Sequence, residues 1–227
     1  MLMNRAAVLL LIVGLTVAGD SNRVSDRSRD YGNKVDIEVF GETKCIHSTM
    51  FMRNQLLPAY KLFGPRLRIR YHPFGVPRST KCKWTGDGYE CTCQHGPAEC
   101  DKNALQACVI EKLPDTEKHI EMVTCIQGNA EFNYSVRKCI DRGPYPRLDS
   151  KSLVRCAMSD KGRTLLARHG HAQNRKAPGM SWVPWVMING VREQEAERHL
   201  VRVLCSRYLK PVPSQCAMYG FEPTEEI

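Results

Sequence analysis

Eleven cysteines in 227 residues constrain this chain more than any other feature. In a reducing compartment such a count suggests metal ligation, and in an oxidising one it suggests a disulfide framework. The N-terminus decides between them. Arg5 gives a positive start, Ala6 to Val13 form an apolar run, and Val17 and Gly19 are small enough to flank a cleavage site. This is the pattern of a secretory signal peptide over residues 1–19, too short in its apolar core for a membrane span. No later stretch is long and apolar enough to span a bilayer, so no membrane span is expected in the mature protein. The cysteines are therefore expected to pair, and an odd count leaves one thiol over or linked to another molecule. Asn133-Tyr134-Ser135 is an N-glycosylation sequon that agrees with this route.

Charge adds little. The formal net charge is +9, with its densest run over residues 161–176. No aromatics interleave there, so a solvated helix face is expected and nucleic acid is not an expected partner.

Residues 20–33 are polar and aperiodic and read as a flexible lead-in. Val35, Ile37 and Val39 then alternate with Asp36 and Glu38, as in a strand. Cys45 follows a short turn and opens a helical pattern that Pro58 should kink and Gly64-Pro65 should end. Leu67, Ile69 and Tyr71 mark a second strand. Strand, helix and strand make a βαβ unit with a cysteine at the first strand-to-helix junction. Residues of about 78–145 change character, holding seven of the cysteines among Gly and Pro punctuation, and read as a stapled insertion. Beyond it come a helix broken near Ser159 to Gly162 and capped at Gly170, a strand from Pro184 to an Asn-Gly turn, and an amphipathic helix to Tyr208. The expected architecture is an α/β domain over residues 34–209, a small mixed sheet flanked by helices, with a tail at 210–227.

Three stretches carry chemistry. The first is "FGETKCIHSTMF". A cysteine at a helix N-terminus meets the helix dipole and free N–H groups, which favour thiolate. His47 can add positive charge, and the Ser48 hydroxyl can donate a hydrogen bond to the sulfur one turn on. The rival reading is a buried or disulfide-bonded cysteine. The second is "SWVPWVMI". Val183-Pro184 is placed to expose backbone opposite the cysteine, with Trp182 and Trp185 lining a groove or packing in the core. Whether that peptide is cis stays open at this stage. The third is "CQHGPAECDKNALQAC". Cys91, Cys93, His95, Cys100 and Cys108 suggest zinc by residue type, but the spacing is not that of a zinc ribbon and an oxidising route favours disulfides. No metal is expected.

This third string resembles the signature of the gamma-interferon-inducible lysosomal thiol reductase family, C-Q-H-G-x-x-E-C-x-x-N-x-x-x-x-C. Every fixed position is present, as Cys93, Gln94, His95, Gly96, Glu99, Cys100, Asn103 and Cys108. The resemblance extends over about residues 35–205. It implies a thioredoxin-like fold with a helical, disulfide-rich insertion, and a soluble glycoprotein of the endosome, lysosome or extracellular space that reduces protein disulfides. It carries the nucleophile's role to Cys45. One position departs: the family's C-x-x-C reads Cys45-Ile46-His47-Ser48 here, so the resolving cysteine is missing.

A thiolate at Cys45 can attack a disulfide unaided, but serine cannot release the mixed disulfide that results. Release needs an external thiol, glutathione or free cysteine, or a second thiol of the substrate. No bound cofactor is expected. Setting Cys45 aside leaves ten cysteines, enough for five pairs: Cys82, Cys91, Cys93, Cys100, Cys108, Cys125, Cys139, Cys156, Cys205 and Cys216. Their connectivity is open. The expected partners are disulfide-containing proteins. The rival functions are a non-catalytic secreted binder that traps clients through Cys45, and a structural glycoprotein that dimerises through it.

Overall fold

The computed structural model describes residues 32–143 and 148–224. The signal-peptide expectation and most of the expected lead-in lie outside the described residues. Strand β1 (Val35–Gly41) occupies the middle of a four-stranded sheet. It pairs in parallel with β2 (Leu67–Pro73), and in antiparallel with β5 (Trp185–Ile188). The short β6 (Val191–Arg192) completes the order β2-β1-β5-β6. Asn189 and Gly190 both have positive φ, as a two-residue hairpin between right-twisted strands requires.

The period-2 pattern does its expected work on one face. Val35, Ile37 and Val39 are fully buried there, in one core with Phe51, Met52, Leu56 and Phe63 of the helical segment after Cys45. That segment is α1 (Ile46–Phe51), a widened π turn (Met52–Leu56) and α2 (Leu57–Phe63). The widening ends just before Pro58, whose ring would collide with the carbonyl of the preceding turn and whose nitrogen cannot donate. The helix accommodates its proline by opening one turn.

The opposite face is not solvent. Glu38 is buried, and its carboxylate takes a hydrogen bond from His72 Nε2 at 2.9 Å and an ion pair from Lys176. His72 Nδ1 lies 3.1 Å from His169 Nδ1. A charged layer thus lies between the sheet and α7, introduced below.

Between β2 and β5 stands the cysteine-rich part. It holds a hairpin of β3 (Lys81–Trp84) and β4 (Tyr89–Thr92), then α3 (Pro97–Lys112), α4 (Thr116–Ile126) and α5 (Phe132–Val136). Helices α6 (Ser150–Ala157) and α7 (Asp160–Lys176) continue the same layer. The expected edge near 145 falls within 144–147, outside the described residues. Five disulfides staple the chain: Cys82–Cys91 across the hairpin, Cys93–Cys100 at the entry to α3, Cys108–Cys156 joining α3 to α6, Cys125–Cys139 and Cys205–Cys216. The last ties the tail to the turn that follows α8 (Ala196–Val203). Buried Arg66 adds to it, donating to the carbonyls of Asn33, Lys210 and Pro211 at 3.0–3.3 Å.

One helix boundary is corrected. Gly170 does not cap a helix, because α7 runs through it to Lys176. Its lack of a side chain serves packing instead, since a Cβ there would come within 2.5 Å of the Phe74 ring. In an open helix interior, Gly→Ala stabilises by about 1 kcal/mol. Here Gly170→Ala is expected to lower the unfolding free energy by about 1–3 kcal/mol through overpacking, read from the urea midpoint.

Candidate active site around Cys45

Cys45 is the free cysteine; the other ten are paired. It occupies the N-cap of α1 with extended φ/ψ, and its carbonyl accepts from Thr49 N at 3.0 Å and Thr49 Oγ1 at 2.8 Å. Its sulfur is half-buried and lies 3.9 Å from the carbonyl oxygen of Val183. The Val183-Pro184 peptide is cis.

The three residues before Cys45 are held from outside their own element. Thr43 N donates to Asn103 Oδ1 at 2.8 Å, and Lys44 N to Glu99 Oε2 at 3.3 Å. The carbonyl of Glu42 accepts from Gln127 Nε2 at 2.6 Å, and that of Thr43 from Gly128 N at 2.8 Å. Asn103 also donates to Phe74 O at 3.0 Å, fixing itself between the two loops. So two fixed positions of the cysteine-rich string, Glu99 and Asn103, grip the backbone that presents the thiol. This role was invisible in the sequence, where they stood as fixed positions of a signature with no partner assigned.

His47 is exposed on α1 and lines a groove of about 940 Å³ with Met50, Trp182, Val183 and Pro184. Trp185, expected beside Pro184 as a substrate contact, is not among the groove-lining residues. It packs with Phe40, Val76 and Met187, under the Arg192 guanidinium at 3.9 Å from its ring. Trp182 takes the groove position, held by Glu197 through its indole N–H at 3.2 Å. The expected hydrogen bond from Ser48 to the sulfur is also corrected. Ser48 is buried, and its hydroxyl makes no hydrogen bond among the described residues. Its oxygen lies against Gly41, 3.4 Å from where a Cβ there would stand.

Beneath the loop lies a group that sequence reading missed as a unit. Glu42, His95 and Glu99 each place one donor atom within 4.8 Å of the others. The Glu99 oxygens are already engaged by Lys44 N, by His95 N at 3.2 Å and by His95 Nδ1 at 2.5 Å. The neighbouring cysteines are in disulfides and offer no thiolate ligand. Glu42 is fully buried. Loss of water, reinforced by the Glu99 carboxylate, pushes its carboxyl up from 4.5 to about 7. Gly75, with φ +123°, leaves room for it: a Cβ there would lie 2.2 Å from Glu42 Oε2. On the far face of the sheet the opposite holds for His169, which burial and the adjacent His72 push down to about 3.

A free thiol at a helix start, facing an X-Pro peptide on a four-stranded mixed sheet and flanked by an open groove, defines a thiol–disulfide oxidoreductase. The model of the family described as Gamma interferon inducible lysosomal thiol reductase (GILT) matches residues 36–143. A GILT-like protein of Caenorhabditis briggsae is 38% identical over 193 residues, 84% of this chain and 87% of that one. The gamma-interferon-inducible lysosomal thiol reductase of Carassius auratus is 26% identical over 80% of this chain and 72% of that one. The chain belongs to the GILT family. Among solved structures, Chlamydia trachomatis DsbA aligns with a TM-score of 0.53 at 14% identity, covering 71% of this chain and 77% of that one. That likeness concerns the fold, which is thioredoxin-like with a helical, disulfide-rich insertion as expected.

The raised Glu42 carboxyl has a consequence for stability. The folded state holds this proton more tightly than the unfolded chain does. Its contribution is therefore complete below pH 4.5 and is lost as pH rises to about 7. Glu42→Gln keeps the neutral shape at every pH. Relative to this variant, the wild type is expected to lose about 3 kcal/mol of unfolding free energy between pH 4.5 and pH 7.5. Parallel urea titrations check this, and His169 cancels because both proteins carry it.

Proposed function

We propose that the protein exchanges disulfides in polypeptides through Cys45 alone, in the secretory or endolysosomal route. The observation that carries this reading is the location of the one unpaired cysteine, at the braced N-cap beside the groove. A disulfide-bearing segment would lie along the groove, near the Val183 carbonyl and Pro184. The Cys45 thiolate attacks one sulfur of the substrate disulfide. A new Cys45–substrate S–S bond forms, the old S–S bond breaks, and the departing thiolate takes a proton.

The second half of the reaction needs help. Ser48 stands where the family carries its resolving thiol, and a hydroxyl cannot displace the substrate. An external thiolate, of glutathione or free cysteine, attacks Cys45 Sγ and releases the second substrate thiol. A second such thiolate frees Cys45 and leaves as the oxidised dimer. The sum is one protein disulfide and two small thiols giving two protein thiols and one small disulfide. Where the external thiol is scarce, the same chemistry halts at the mixed disulfide, and the protein acts as a trap for its clients. Exposed Asn133 on α5 supports a glycan at its sequon, in keeping with a lysosomal or extracellular setting.

Turnover of a disulfide-linked polypeptide with added glutathione tests this at acidic and neutral pH. Cys45→Ala is expected to fall to the uncatalysed rate. Ser48→Cys is expected to turn over several-fold faster than wild type and, once reduced, to release its substrate in a single turnover without glutathione. Equal rates for wild type and Cys45→Ala contradict the reading.

A further inference from the structure

The two flanks of the Cys45 helix are lined differently. The groove side mixes apolar Met50, Trp182 and Pro184 with His47, Arg198 and the acids Glu195 and Glu197, which are ion-paired with Arg207 and Arg192. On the other side lies a smaller cavity of about 280 Å³, lined by Lys44, Ile46, Thr49, Arg53 and Lys138 with the 127–130 backbone. Lys44 and Ile46 flank the nucleophile itself.

Three of those side chains are cations, and a fourth lies just beneath. Buried Lys102 donates its ammonium protons to the carbonyls of Gly128 and Ala130, the latter at 2.8 Å, and so shapes the cavity wall. Arg53 donates to Gln127 O at 2.6 Å, and Lys138 sits 5.8 Å from the Tyr134 ring centre. These partners are carbonyls and a ring, not carboxylates. Among the described residues, no ion pair to an acid within 4.0 Å is made by Lys44, Arg53, Lys102 or Lys138. The positive charge is felt locally: burial, then Lys44 and Arg53, lower the Lys102 ammonium from 10.5 to about 8 against the opposing pull of Glu131. A cavity with several cations and no paired acid is built for an anion.

The proposed reaction supplies an occupant. With the polypeptide in the groove, the thiol that releases it approaches Cys45 from the other flank. We infer that the Lys44–Arg53–Lys138 cavity is the docking site of that resolving thiol, and that it selects a small thiol carrying carboxylates. Its size admits a small molecule or one end of a tripeptide, not a folded partner. Reduced glutathione, with two carboxylates and one ammonium, has the required charge. The inference rests on the reading of Cys45 as an exchanging thiol.

One step isolates it. Cys45 is first converted to its 2-thiopyridyl mixed disulfide with dipyridyl disulfide. An incoming thiol then attacks Cys45 Sγ, forms the new S–S bond and expels pyridinethione, which is followed by absorbance. The rate constant is measured with glutathione and with uncharged 2-mercaptoethanol, and their ratio cancels effects common to both. The ratio is expected to fall about tenfold in Lys44→Glu/Lys138→Glu, and to stay at the wild-type value in Lys151→Glu, a reversal outside the cavity. A ratio within twofold of wild type in the double variant overturns the site, as does an equal fall in Lys151→Glu. Failure of Cys45 to take up the thiopyridyl group at all contradicts the functional reading, and the site with it. Uptake followed by an unchanged ratio removes the site alone.

Discussion

Four hydrogen bonds to the backbone of Glu42, Thr43 and Lys44 support everything else this site does. A loop that ends a buried central strand and starts a helix carries polar groups that neither element satisfies. Asn103, Glu99, Gln127 and Gly128 satisfy them, and all four come from the helical insertion. Leaving one such buried group unpaired costs about 1–3 kcal/mol, so the loop and the insertion hold one another in a single arrangement. The disulfides then act at one remove. Cys93–Cys100 fixes the entry to α3, which carries Glu99 and Asn103, and Cys108–Cys156 anchors the same helix to α6. The stapled insertion is thereby part of the active site.

The buried charges follow the same economy. Glu42 is kept near neutrality by burial beside a second carboxylate, whereas Glu38, held by His72 and Lys176, is pulled down to about 2 despite burial. Their pH dependences run oppositely: the Glu42 contribution fades as pH rises from 4.5 to about 7, and that of Glu38 as pH falls from 4.5 to about 2. His169, held neutral down to about 3, joins Glu38 in favouring the higher pH. The fold thus carries both acid-favouring and acid-sensitive buried groups.

Much of this was legible in the residues. Alternation at Val35, Ile37 and Val39 located the central strand, Pro58 marked the disturbance in the first helix, and Asn189-Gly190 the hairpin. The odd cysteine count pointed to a lone thiol, and its junction position singled out Cys45. Other features were hidden because they depend on distant partners. Glu38 stood in the strand alternation with no partner in view, because Lys176, which pairs with it, lies 138 residues away on α7. Gly170 read as a helix stop, because a glycine that ends a helix and one that admits a Phe74 ring look alike in one dimension. Ser48 was read by its distance along a helical turn, which fixes the face of the helix but not the rotamer. Glu99 and Asn103 stood in full view within a cysteine pattern, and only the fold showed what they grip.

Native-state hydrogen exchange at the Thr43 and Lys44 amides tests the central dependence most directly. If the insertion braces the loop, these two amides exchange only on global unfolding, as slowly as those of Ile37 and Val39 in β1. Exchange at the rate of an open surface loop, orders of magnitude faster than β1, would show that the thiol is presented without that support.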